Sequence, residues 1–398
     1  LLTRSPCTSV ASLSRSGGPR AALLSPPTPG AREARRLAAR DGSVRVRSRK
    51  AIGLLAVLAL TSAVAASCAR MTPRHDGPVS DHFDGVRFYQ VPAVHKGLDE
   101  VLKWQLTRES AGPWERDLTR IDTPLPPARA DDGILSVTFI NHATVLIQVG
   151  GLNILTDPIW SGRASPVQAV GPQRFRAPGM RFQDLPSVDL VLVSHNHFDH
   201  MDEDTLARLA EDHDPLFVVP LANCRYLERF GVERCRELDW WEVHEAAGGV
   251  SIHAVPARHW ARRSIADTNR SLWSGFVIRS DQHRIYFAGD TGMGGHFKEI
   301  RERLGTPDLA ILPIGAYLPR WFMSAQHIDP GEAVMAHRIL GAKKSMAIHF
   351  GTFRLADDGQ QQPVLDLAEA MAADGLDRKS FWVPNNGDTH RWDARSER

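Results

Sequence analysis

The chain has little cysteine, no repeat, and no concentration of positive charge outside one end. Four cysteines in 398 residues leave thiolates a small part in any ligand set. Cys7 lies in an N-terminal tail and Cys68 ends an apolar run; Cys224 and Cys235 flank a short helix-like segment. This last pair either joins in an oxidising compartment or stays as two buried thiols. The long apolar run, Ala51 to Ala66, has sixteen residues, short of the roughly 20 that a membrane-spanning helix needs. Residues 1–50 hold eleven Lys or Arg against Glu33 and Asp41, so the net charge of +2 hides a local excess of nine and leaves −7 for residues 51–398. That mildly acidic body speaks against nucleic acid as a partner.

What is present at the N-terminus divides in two. Residues 1–50 are rich in Arg, Ser, Pro, Ala and Gly without hydrophobic periodicity, and are expected to be disordered or an extension outside the mature protein. Arg45, Arg47, Arg49 and Lys50 precede the apolar run, and Ser67-Cys68 follows it. Residues 51–68 therefore resemble a secretory segment with Cys68 as a lipidated first residue, a single-pass N-terminal anchor being the alternative. Either places the body on the envelope or periplasmic side of a membrane, with peripheral or lipid-anchored association. Residues 69–130 are polar and Pro-punctuated, with a helix expected over Leu98–Thr107, and form an arm packed on the main domain, residues 131–398.

Within that domain short β-rich runs alternate with helical stretches. Strands are expected over 135–140, 144–149, 152–156, 188–193, 216–219, 250–255, 273–278, 284–288, 309–312 and 345–348, and helices over 201–211, 296–304, 330–340 and 364–373. Gly150-Gly151 closes a hairpin. The interleaving predicts a layered α/β fold. Trp240, Trp241, Trp260 and Trp273 are expected in its core.

The chemistry concentrates in Ser194-His195-Asn196-His197-Phe198-Asp199-His200, directly after the apolar run Val188 to Val193. His195 and His197 can reach one cation from the same side, while Asp199 and His200 enter the next turn and can reach a second. Imidazole and carboxylate without thiolate suit Zn, with Fe or Mn as looser alternatives. Three further ligand types follow other strand candidates: His259, Asp290 in Gly289-Asp290-Thr291-Gly292, and His349. Singly, each has an ordinary explanation as a loop, turn or core residue. Open α/β sheets, however, gather their sites at the carboxyl ends of strands. A two-ion reading assigns His195, His197 and His259 to one ion and Asp199, His200 and His349 to the other, with Asp290 bridging.

The motif His195-x-His197-x-Asp199-His200 with His259, Asp290 and His349 resembles the binuclear metallo-β-lactamase superfamily, which implies a four-layer αβ/βα sandwich. From about Asp81 to Asp388 the chain further resembles the N-acyl phosphatidylethanolamine-hydrolysing phospholipase D family, through Leu155-Thr156-Asp157-Pro158-Ile159, Gly171-Pro172-Gln173-Arg174-Phe175, Glu237-Leu238-Asp239-Trp240-Trp241 and Pro319-Arg320-Trp321-Phe322-Met323. The resemblance implies that Asp157 orients a histidine ligand from behind, that His327 lies beside the substrate phosphate, and that Asp290 and His327 are the catalytic pair. It also implies two Zn ions, a membrane phospholipid substrate and direct attack by a hydroxide bridging the ions, without a covalent intermediate. Lactones or small phosphodiesters are the alternative substrates. Tyr317, Arg320 and Trp321 join His327 as candidate substrate contacts, their bulky apolar and cationic mixture suiting an acyl-lined groove, a bilayer interface or a homodimer contact. Asp329 could alternatively make His327 no more than a residue at a capped helix entry.

Overall fold

The computed structural model describes residues 74–92, 97–109, 111–119, 123–264 and 266–393. The expectations for residues 1–50 and 51–68, Cys68 included, lie outside them. Among the described residues no helix is long and apolar enough to cross a membrane.

Strands β1 (Ile134–Asn141), β2 (Thr144–Val149) and β3 (Leu152–Thr156) run as an antiparallel meander. Its second turn needs left-handed backbone at Gly150 (φ 57°) and Gly151 (φ 76°), which glycine supplies without steric cost. A Cβ on Gly150 would also come within 2.6 Å of Val250 Cγ2. Strands β4 (Leu190–Leu192), β5 (Leu216–Pro220) and β6 (Cys235–Leu238) continue the sheet in parallel, each hydrogen-bonded to its predecessor.

The second sheet holds β7 (Val243–Glu245), β8 (Ser251–Val255), β9 (Gly275–Arg279), β10 (Arg284–Phe287), β11 (Leu309–Pro313), β12 (Lys344–Ile348) and β13 (Phe381–Trp382). The final strand, β14 (Thr389–Asp393), returns to the first sheet and pairs with β1. The two seven-stranded orders are β14-β1-β2-β3-β4-β5-β6 and β13-β12-β11-β10-β9-β8-β7.

The helices are α1 (Leu98–Leu106), α2 (Glu203–His213), α3 (Cys224–Leu227), α4 (His296–Leu304), α5 (Arg320–Met323), α6 (Pro330–Leu340) and α7 (Gln362–Asp374). Alternating side chains build the layers, because successive strand residues face opposite ways. Leu190 and Leu192 join Ile252, Ala254 and Phe276 in a core between the sheets, while Val191 and Val193 pack with Leu206 and Leu209 of α2 on the outer face. Truncating such a buried leucine to alanine costs about 2–5 kcal/mol. Helices α4, α6 and α7 cover the second sheet through Phe297, Val334 and Leu367. The order is helix, sheet, sheet, helix, the four-layer sandwich anticipated.

Four strands escaped the sequence reading. β6, β7 and β14 have mixed polar composition and half-exposed residues, so no run of apolar residues marks them; β13 has only two residues. Cys224 and Cys235 are disulfide-bonded, with Cα atoms 5.7 Å apart. Trp273 is buried as expected, but Trp260 lines a cavity instead of the core.

Segments before residue 130 lie on the body through specific contacts. Phe83 and Phe88 pack with Ala257, Leu272 and Trp273, and Trp104 of α1 stacks on Phe322 with centroids 4.8 Å apart. Asp357 accepts from Trp104 Nε1 (3.0 Å) and Arg108 Nε (2.8 Å).

Candidate metal centre

Strands β3 and β4 run parallel, as do β10, β11 and β12, and two antiparallel steps through β9 bring β8 into line with β10. Their carboxyl ends deliver Asp157, the 195–200 segment, His259, Asp290 and His349, so both sheets contribute. Close approach at the seam depends on Gly289 (φ 58°), where a Cβ would stand 2.6 Å from Ser194 Cβ.

The 195–200 segment is a loop and a turn, closed by His200 N–H donating to the His197 carbonyl (3.1 Å). His195 Nε2 and His259 Nε2 lie 2.8 and 3.2 Å from His197 Nδ1. Asp199 Oδ2 lies 3.2 Å from His200 Nε2 and 3.3 Å from His349 Nε2. Between these groups stands Asp290, with Oδ2 3.3 Å from His200 Nε2 and 3.8 Å from His259 Nε2, and Oδ1 3.2 Å from His349 Nε2. The seven predicted ligands therefore share one buried site.

The atoms fit divalent cations. His195 Nδ1 donates to Ser194 Oγ (2.9 Å), His200 Nδ1 to Asp157 Oδ2 (2.7 Å), and His259 Nδ1 to the Gln326 carbonyl (3.0 Å). Each bond fixes a proton on the outer nitrogen and leaves Nε2 as the inward atom that a cation would take. His200 Nε2 and Asp290 Oδ1 are buried with no hydrogen-bond partner, and a three-histidine group and a carboxylate-histidine group offer separate donor sets. Divalent cations would be held by His195, His197 and His259 and by Asp199, His200 and His349, with Asp290 within reach of both groups.

Electrostatics divide the donor set: three histidines are held neutral, whereas for His200 and His349 burial is outweighed by neighbouring carboxylates, which raise both, so a cation bound by these two displaces protons. Burial, followed by neighbouring histidines, pushes the pKa of His195 far down; His197 and His259 fall to about 3, mainly through burial, so all three stay neutral. Burial also opposes charge on His349, but Asp290 and Asp199 outweigh it and raise the imidazole to about 9. For Asp290, the cost of burial is outweighed by His349 and His200, which hold the carboxyl far below its ordinary range.

The centre opens into a cavity of about 670 Å³, with Trp104, Phe322 and Met323 on an apolar wall and Trp260, Arg262 and His327 among its other residues. His327 Nδ1 lies 3.8 Å from Asp290 Oδ2. Asp329 also caps α6, accepting from Glu332 N–H at 2.8 Å, so the cap and a cavity position for His327 coexist. Of the other candidate substrate contacts, none is among the cavity residues. Tyr317 is buried with its hydroxyl on Asp366. Arg320 donates to the His327 carbonyl (2.9 Å) and Glu332 (2.7 Å), and pairs with Asp329. Trp321 is 47% exposed, with Lys103 Nζ 4.6 Å from its ring centroid. Sequence reading missed Arg262, two residues beyond Trp260, and His142, whose only signal was a lone histidine between two strand runs.

Comparison with known proteins places these features in context. Residues 152–350 match the beta-lactamase superfamily domain. The N-acyl-phosphatidylethanolamine-hydrolyzing phospholipase D 1 of Caenorhabditis elegans is 37% identical over 316 residues, covering 75% of this chain and 88% of the relative. An uncharacterised protein of Mycobacterium tuberculosis is 38% identical over 281 residues, 68% of this chain and 73% of its own. Among solved structures, an isothiocyanate hydrolase from Delia radicum gut bacteria aligns with a TM-score of 0.54 at 20% identity, over 65% of this chain and 99% of its own, a likeness of fold.

Proposed function

The chain belongs to the metallo-β-lactamase superfamily, as a relative of the N-acyl-phosphatidylethanolamine-hydrolysing phospholipases D and a metal-dependent hydrolase, and on that premise we propose that it hydrolyses lipid phosphodiesters. Water adds across the phosphorus-oxygen bond of an N-acyl phosphatidylethanolamine-like lipid, giving phosphatidic acid and an N-acylethanolamine. The observation that carries this reading is the cavity: a site built for cations opens directly onto an apolar wall of Val101, Trp104, Phe322 and Met323. A volume of about 670 Å³ falls in the range of small-molecule sites, and that wall suits an acyl chain better than a compact polar diester.

The residues divide the work. Divalent cations, zinc in our reading, would supply Lewis-acid polarisation of a phosphoryl oxygen and acidification of water. Asp290, within reach of both donor groups, accepts the proton released as water attacks. His327 donates a hydrogen bond to a non-bridging oxygen or to the departing alkoxide. Arg262 has no carboxylate partner among the described residues and stands with its guanidinium carbon 5.0 Å from the Trp260 ring centroid, where it neutralises the phosphodiester. The Cys224–Cys235 disulfide supports placing the body outside a reducing cytoplasm, in keeping with an envelope location and a membrane-borne substrate.

Phosphorus NMR of N-acyl phosphatidylethanolamine micelles, incubated with zinc-loaded wild type and Asp290→Asn, tests the assignment. Phosphatidic acid from the wild type alone supports both substrate and the role of Asp290. No product from a wild type that retains zinc rejects the lipid, and lactones and small phosphodiesters become the substrates to assay.

A further inference from the structure

His142 occupies the corner between β1 and β2, is 1% exposed and has a left-handed backbone (φ 49°). Such backbone is uncommon for a residue with a Cβ and persists where surrounding contacts hold it. Here they do. His142 N–H donates to Thr352 Oγ1 (3.3 Å), and the His142 carbonyl accepts from His349 N–H (2.8 Å). Its ring packs on that of His349 with centroids 4.2 Å apart and meets the edge of Phe353 at 5.3 Å.

The imidazole Nε2 lies 3.0 Å from Asp199 Oδ2. Since the partner is a carboxylate oxygen, Nε2 carries the ring proton and donates; Nδ1 is buried and without a hydrogen-bond partner. His200 and His349 turn their Nε2 atoms toward both Asp199 and Asp290. His142 contacts Asp199 alone of these two carboxylates. None of its hydrogen bonds or ring contacts is to His195, His197 or His259.

We infer that His142 is a positioning residue for one half of the metal centre: its Nε2–H aims the Asp199 carboxylate and its carbonyl fixes the His349 backbone, so that it governs cation binding by Asp199, His200 and His349 and leaves the three-histidine group unaffected. The inference rests on the metal-dependent reading of the site and is independent of the lipid. A carboxylate with three ring nitrogens within 3.3 Å has several orientations open to it. A donor that makes no other bond selects one of them, which is how groups behind a ligand raise metal affinity.

The experiment is a zinc titration of the metal-free full chain in chelator-buffered zinc, reading bound metal per chain, for wild type, His142→Asn, His142→Ala and His142→Gln. Asn tolerates left-handed backbone but is too short to reach Asp199, whereas Gln places its amide nitrogen near the position of Nε2. The expected result is two binding steps in the wild type, one of which loosens by about 10- to 100-fold in His142→Asn and His142→Ala. The other step stays in place, and His142→Gln restores the loosened one. An amide restores a hydrogen bond but replaces imidazole poorly as a ligand, so failure of Gln to rescue overturns the positioning role. Two unmoved steps, or two steps that weaken together, overturn it as well. If His142→Ala fails to fold, His142→Asn carries the same comparison. A wild type that binds no zinc sinks the metal-dependent reading itself, an outcome separate from any failure of the lipid assay.

Discussion

Asp157 accepts a 2.7 Å hydrogen bond from His200 Nδ1, with both side chains fully buried. Its carboxylate also accepts from Ser194 N–H (2.7 Å) and Ser194 Oγ (2.6 Å), and Ser194 in turn meets His195. One carboxylate thus aligns a histidine from each half of the site, directly for His200 and through a hydroxyl for His195.

Asp157→Asn is therefore expected to weaken both zinc-binding steps, by about 10- to 100-fold. Equilibrium dialysis against buffered zinc checks this. Loss confined to one step would break the claim that Asp157 serves both halves.

His327 and Arg262 face the same cavity in different roles. His327→Ala should lower kcat by roughly 100-fold, the lower end for a positioned proton donor, with metal content unchanged. Arg262→Ala should act mainly on KM, because a cation that pairs with the ground-state phosphodiester contributes binding common to ground and transition states. Steady-state kinetics on one micellar substrate separates the two, and a kcat loss in Arg262→Ala with unchanged KM would contradict its assignment.

Metal removal should show in stability as well as in turnover. Buried like-with-like contacts such as His195 Nε2 against His197 Nδ1 at 2.8 Å favour a bound cation over an empty cluster. Zinc held in the folded state alone, at 100 times its Kd, adds about 2.7 kcal/mol. Differential scanning calorimetry with and without chelator should show Tm fall and zinc restore it; an unchanged Tm in protein that demonstrably loses metal would count against the site.

A pH effect is expected at His82, which lies between Asp239 (2.7 Å) and Asp81 (2.6 Å). Burial works against its charge, but the two carboxylates, Asp239 first, outweigh burial and raise the pKa above the ordinary 6.5. The linkage follows from that sign: the stabilisation is fully present below about 6.5 and is lost as pH rises through the higher folded-state value. Hydrogen exchange corrected for intrinsic rates should show the Phe83–Phe88 bridge less protected at alkaline pH than at pH 6. His82→Gln should flatten the dependence, and a wild-type profile without slope would remove His82 as its source.

The metal-binding motif was legible because its chemistry is local: four ligands fall within six residues after an apolar strand, a pattern that few other functions require. The long buried strands were legible for the same reason, since runs such as Leu190 to Val193 are apolar on both faces. β14 was not, because its exposed residues Thr389 to Arg391 acquire strand geometry only by pairing with β1, more than 200 positions away. The candidate substrate residues show the limit most clearly. Composition pointed to Tyr317, Arg320 and Trp321; the structure gives Tyr317 to Asp366 and Arg320 to Glu332, sets Trp321 beside Lys103, and puts none of the three among the cavity residues.

The sequence by itself determined the ligand types, their order along the chain and the layered fold, since those follow from residue chemistry and hydrophobic periodicity. Only the tertiary structure decided which nitrogen of each histidine faces inward, that Asp157 supports both halves of the site, and that His142 stands behind Asp199. Those relationships join residues dozens to hundreds of positions apart, and hydrogen-bond direction across such distances is set by the packing of two sheets against each other, which no local pattern encodes.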